Sequence, residues 1–219
     1  MEFLCRGENQ RVSAQDLRKG REVGIGYELA YRLRITPWEE AGRIFGNQIE
    51  HLLGPGVTPP GKALDVGCGA GDHAIELARR GWEVTGIDMV QLALDRARRK
   101  ARNAGVDVRF VHSDATDLHH TVGHGFELVL DVGCFHGLGD EGRAAYSEGM
   151  TEVTVRGATL LMFAFGHGHR GPLPRGVRKR DISRNFPAWD LVADLDADLA
   201  GMPGPLRSVD PRWFRLVRR

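Results

Sequence analysis

The run Ala63-Leu64-Asp65-Val66-Gly67-Cys68-Gly69-Ala70-Gly71-Asp72-His73 decides the fold. Ala63 to Val66 is a short apolar strand that passes through a glycine-rich turn into a helix over 72–80. Asp72 is placed to cap that helix and Gly81 to end it. Glycines at a strand-to-helix turn let the backbone turn tightly and approach a ligand with no Cβ in the way. The spacing is G-x-G-x-G. It differs from the G-x-G-x-x-G of dinucleotide-binding turns, and no Lys-Ser/Thr follows to make a P-loop. In an open parallel sheet, ligands bind outside the carboxyl ends of the strands, where this turn sits.

Downstream, strands and helices alternate. Trp82 to Ile87 reads as a strand. Val90, Leu94, Ala97, Ala101 and Ala104 step by four and three along one helix face, which Gly105 stops. Val108 to Val111 and Phe126 to Val132 are strands, 140–155 is helical, and Ala158 to Phe165 is a strong strand. This βαβ alternation predicts an α/β fold, a doubly wound parallel sheet with helices on both faces. Residues 180–186 read as a short helix. Over 189–198, Leu191, Ala193, Leu195 and Ala197 alternate with Asp190, Asp194, Asp196 and Asp198, the pattern of a sheet-edge strand. With 212–218 it predicts an antiparallel hairpin added to the sheet. Two carboxylates fall at the ends of consecutive strands. Asp88, 17 residues beyond Gly71, can accept from a ribose diol, and Asp114 from an exocyclic adenine amine.

Upstream, residues 1–56 read as polar helices, and the Gly/Pro-rich run 54–61 marks the boundary between a helical cap (1–56) and the α/β domain (57–219). The chain of 219 residues has a net charge of +1, which argues against a dedicated nucleic-acid binder. The tail 167–219 is basic, with 11 basic and 6 acidic residues, and reads as a solvated face. No apolar run reaches the ~18 residues of a membrane span, and the N-terminus lacks a secretory signal. Three scattered cysteines make no disulfide framework. A cytoplasmic location is the expectation.

The run 64–71, acidic Asp88 and the Ser113-Asp114-Ala115 segment resemble the class I S-adenosylmethionine-dependent methyltransferases. The resemblance implies a Rossmann-like seven-stranded sheet in order 3-2-1-4-5-7-6 with strand 7 antiparallel. It places Gly67, Cys68, Gly69 and Gly71 along the methionine and ribose of the cofactor, and Asp88 on the ribose hydroxyls. Met89 would pack on adenine, with Asp114 and Ala115 at its amine edge; Asp65 would orient the loop and the cofactor's amino group. A narrower resemblance, on Ile35-Thr36-Pro37-Trp38-Glu39, on 131–138 and on Pro211-Arg212-Trp213-Phe214, is to bacterial small-molecule methyltransferases of the thiopurine and quinolone group. It implies a small aromatic or heterocyclic acceptor, S-adenosylhomocysteine as product, and a monomer or homodimer.

Methyl transfer needs a nucleophile aligned with an already electrophilic methyl, water excluded, and at times a base. His136, just past the fourth strand, is either that base or a residue that shapes the pocket. Asp131 is read as contacting cofactor and loop. Phe135, His136 and His167 at the carboxyl edge, with Tyr31 and Trp38 as an aromatic lid, are the candidate acceptor contacts. His167-Gly168-His169 and His119-His120 have no matching ligand cluster, so no metal is expected. Two other functions fit a glycine turn on this sheet: a nicotinamide-dependent oxidoreductase, and a module that binds S-adenosylmethionine without catalysis.

Overall fold

The computed structural model describes residues 59–168, 176–198 and 210–219, with positions 32, 33, 49, 53 and 57. The cap helices, Tyr31 and Trp38 lie outside the described residues, as does His169. The elements run β1 (Lys62–Val66), α1 (Asp72–Arg79), β2 (Glu83–Asp88), α2 (Gln91–Ala104), β3 (Arg109–His112) and α3 (Leu118–Thr121). They continue with β4 (Phe126–Val132), a 3₁₀ turn (Phe135–Gly137), α4 (Asp140–Val153), β5 (Thr154–Phe165), α5 (Lys179–Asn185), β6 (Trp189–Asp196) and β7 (Pro211–Arg218).

The strands form one sheet in the order β3-β2-β1-β4-β5-β7-β6. β1 pairs in parallel with β2 and β4, and β5 in parallel with β4. β7 lies antiparallel between β5 and β6. Because both faces are covered, the central strands alternate between two cores rather than between core and water. Leu128, Leu130, Leu161, Phe163 and Trp213 join α1 and α2 in one core. Val129, Leu160, Met162, Ala164 and Phe214 join α4 and α5 in the other. Ile49 and Leu53, from the segment before the sheet, pack onto the first core.

Two local expectations change. Asp72 does not cap α1: Gly71 is the N-cap, and Asp72 in the first turn pairs with Lys100 of α2 at 3.0 Å. Thr154 and Val155 leave the helix and open β5, as β-branched residues suit a strand. The segment holding His119 and His120 is a single helical turn, α3, whose Leu118 is fully buried.

Candidate active site at the carboxyl edge of the sheet

Gly67, Gly69 and Gly71 all have positive φ (70°, 52° and 81°), a conformation that only glycine adopts at little cost. Gly71 also fits tightly, since a Cβ there would lie 2.8 Å from Ala97 Cβ. The loop is tied to its neighbour strand: the Cys68 N–H donates to Ile87 O at 2.8 Å, and the Gly69 N–H to Asp88 Oδ2 at 2.8 Å. Asp88 Oδ1 accepts from the Val90 N–H at 2.8 Å, so one carboxylate holds the glycine loop and the start of α2 together. Cys68 is buried and its thiol is pushed well up by burial, which makes it a small packing residue and no nucleophile.

Asp65 is 1% exposed, and its Oδ2 has no partner among the described residues. Burial, with the nearby carboxylates of Asp88, Asp131 and Asp72, pushes its pKa up to about 7 against the opposing Ala74 N–H. Burial also raises Asp88 above the usual carboxylate range. Met89 and Ala115 are half-buried and Asp114 is exposed. Asp114 Oδ1 accepts from Thr116 N and Oγ1. His112, which the sequence reading passed over, donates from Nε2 to Met89 O at 2.9 Å and steadies that segment.

The turn after β4 is built around Asp131. Its Oδ1 accepts from the Cys134 N–H (2.7 Å), and its Oδ2 from the Phe135 N–H (3.0 Å) and the Tyr146 hydroxyl (2.6 Å). The expected loop contact is therefore present. Burial raises this carboxyl to about 6, opposed by the Tyr146 hydrogen bond. The turn abuts the glycine loop, for a Cβ at Gly67 would stand 3.3 Å from Cys134 Cβ. His136 is 5% exposed, and its Nδ1 accepts from the Phe165 N–H at 3.1 Å while its ring stacks on Phe165. With Nδ1 accepting, the ring proton sits on Nε2. Burial, with the Arg143 cation, lowers its pKa to about 3. This geometry suits a neutral, pocket-shaping histidine and leaves no open lone pair for a base.

Phe135, expected to touch the acceptor, is instead fully buried in the second core, with its ring 5.4 Å from those of Tyr146 and Phe186. A loop aromatic can reach inward as easily as into a cleft, and here the apolar core claims it. His167 is exposed on the segment after β5. Asp117, His119 and His120 each bring a donor atom within 4.8 Å of the others; all three are exposed, around α3. Arg143 and Tyr146 were not singled out from sequence. Their signal was a charged residue in the buried stripe Arg143, Tyr146, Met150, Val153 of α4.

Residues 63–157 match the model of a methyltransferase domain. The ubiquinone biosynthesis O-methyltransferase of Hahella chejuensis is 39% identical over 164 residues, 65% of this chain and 67% of that one. The 2-heptyl-1-hydroxyquinolin-4(1H)-one methyltransferase of Mycobacteroides abscessus is 30% identical over 48% of this chain and 46% of its own. Among solved structures, the N-methyltransferase NodS of Bradyrhizobium japonicum, in complex with S-adenosylhomocysteine, superposes with a TM-score of 0.67 at 19% identity. That alignment covers 80% of this chain and 86% of NodS. The oxidoreductase alternative gives way to these matches: with its sheet order, glycine turn and relatives, the chain belongs to the class I S-adenosylmethionine-dependent methyltransferases.

Proposed function

We propose that the protein transfers the methyl group of S-adenosylmethionine to an N, O or S atom of a small aromatic or heterocyclic molecule. The observation that supports this reading is the close approach of the Gly67–Gly71 loop to the Cys134–Gly137 turn, where an acceptor at the turn would lie beside a donor on the loop. The quinolone-methylating relative supports the acceptor class.

The residues present fit the cofactor. Three positive-φ glycines leave the loop backbone open to a ligand, and Asp65 Oδ2 is a buried acceptor awaiting a donor such as an ammonium. Each Asp88 oxygen keeps a lone pair beyond its backbone N–H for a ribose hydroxyl. Met89, Ala115 and Asp114 would line the adenine. Bound, the cofactor supplies an electrophilic sulfonium methyl. The chain supplies position and exclusion of water, for which up to about 7–11 kcal/mol is attainable. His136 shapes the acceptor side as a neutral ring, and the acceptor's proton leaves to solvent.

The test is a transfer screen against hydroxyquinolones, phenols, thiols and heterocyclic amines, followed by S-adenosylhomocysteine formation and product mass. A methylated aromatic is expected, with a rate that rises as the acceptor ionises. Tight S-adenosylhomocysteine binding with no acceptor methylated would turn the reading toward a non-catalytic binding module.

A further inference from the structure

Three consecutive residues of the turn between β4 and α4, Cys134, Phe135 and His136, are held by buried side chains. Asp131 takes the Cys134 and Phe135 N–H groups, and Tyr146 donates to the same carboxylate. One helical turn earlier on α4, Arg143 is 3% exposed and donates from Nη2 to two carbonyls, His136 O at 3.2 Å and Gly176 O at 2.9 Å. Its guanidinium also lies 5.0 Å from the centre of the Phe135 ring. Gly176 begins the described chain after residues 169–175, so this arginine joins the turn after β4 to the segment leading into α5. Residues three apart on a helix share a face, which explains how one helix reaches both ends of the turn.

The Tyr146 hydroxyl and Arg143 Nη2 are directed at Asp131, His136 and Gly176, on the acceptor side of the cleft. The donor-binding loop hangs on β1 and β2 through Cys68, Gly69 and Asp88. The acceptor-side turn is tied to β4 through Asp131, to β5 through Phe163 O and the Phe165 N–H, and to α4 through Tyr146 and Arg143. The two halves of the cleft thus draw on different side chains, on strands that pair at Val66 and Asp131, and they meet where Gly67 faces Cys134.

We propose that Tyr146 and Arg143 are positioning residues: acting through Asp131 and the His136 carbonyl, they set the place of the acceptor-side turn relative to the donor loop, and neither contributes to cofactor affinity. This rests on the acceptor lying at that turn, as proposed above. Misplacing reacting groups by on the order of 1 Å costs about 100-fold in rate, so a loosened brace registers strongly in transfer.

Tyr146→Phe keeps the ring that packs on Phe135 and removes only the hydroxyl. Arg143→Lys keeps the charge and loses the fixed planar geometry in which one guanidinium nitrogen, Nη2, meets both carbonyls. Both variants and the full-length wild type are compared in three measurements: S-adenosylhomocysteine affinity by calorimetry, amide exchange of Cys134 and Phe135 against Gly69, and transfer to a 1-hydroxyquinolin-4-one. The expected result is affinity within about twofold of wild type and faster exchange at Cys134 and Phe135 with Gly69 unchanged. Transfer should fall about tenfold or more in kcat/KM. Wild-type kcat/KM in both folded variants, or a matching loss of S-adenosylhomocysteine affinity, overturns the proposal. If wild type methylates no quinolone, the acceptor reading fails. Exchange and affinity then still decide whether α4 braces the turn alone, and unchanged exchange at Cys134 and Phe135 overturns it.

Discussion

Asp65 and Asp88 stand at the ends of adjacent strands, yet their oxygens are used differently. Asp88 is engaged at both oxygens by backbone N–H groups, while Asp65 keeps Oδ2 open in a buried setting. Asp88→Ala removes the anchor of the glycine loop as well as the ribose acceptor. Hydrogen bonds to charged groups are worth about 1.5–3 kcal/mol, so S-adenosylhomocysteine affinity should fall at least about tenfold in calorimetry. Unchanged affinity would take Asp88 out of the site. Asp65 predicts two pH effects of opposite sign. Its folded pKa, about 7, exceeds its unfolded value of 3.8, so the folded state binds the extra proton. Its contribution to the stability of the ligand-free protein therefore grows as pH falls from about 7 toward 4. A cationic ligand group needs the ionised carboxylate, so affinity should weaken by up to about tenfold per pH unit below 7. Asp65→Asn should flatten the affinity profile in titrations across that range; an unaltered slope would assign it to another group.

At the scale of elements, two helix-flanking glycines separate conformational strain from crowding. Gly105, the C-cap of α2, has φ 67° with open space around it, so Gly105→Ala should cost only about 1 kcal/mol in urea denaturation. Gly71 has φ 81° and would drive a methyl to 2.8 Å of Ala97 Cβ and 2.9 Å of Phe110 Cζ. Gly71→Ala should lose about 1–3 kcal/mol beyond the conformational cost, and S-adenosylhomocysteine binding with it. Equal losses in the two variants would mean the α1–α2 junction yields easily. These same elements show what the sequence makes legible. The strand-glycine-helix run and the alternation after it carry the doubly wound parallel architecture, because apolar period and turn glycines are local properties, whereas the strand order is implied only by the family resemblance. Phe135, His136 and Tyr146 are different. Whether a loop side chain points to cleft or core depends on packing across β4, β5 and α4, which no single stretch records. The helix end at Val153 was missed for a related reason, since Thr154 and Val155 continue an amphipathic helix pattern until β4 offers Thr154 a partner.

At the largest scale, the described residues form a sheet between two apolar cores, with β3 and β6 at its margins. β3 is four residues long, and its Arg109 reaches back to the carbonyls of Thr121 and Val122. β6 is twice as long, and among the described residues no strand pairs with its outer side. It also shows water two large apolar side chains, Val192 at 47% and Leu195 at 45% exposure. Such an edge is a template for another copy's strand. Asp190, Asp194 and Asp196 interrupt it, and among the described residues Arg212 and Arg219 pair with them. The aspartates of β6 thus act as gatekeepers of colloidal behaviour, setting how concentrated the protein can become before chains add edge to edge. Asp190→Val with Asp196→Val should leave cofactor affinity intact while light scattering rises steeply with concentration. Scattering like that of wild type would show that the edge is protected by something other than its charge.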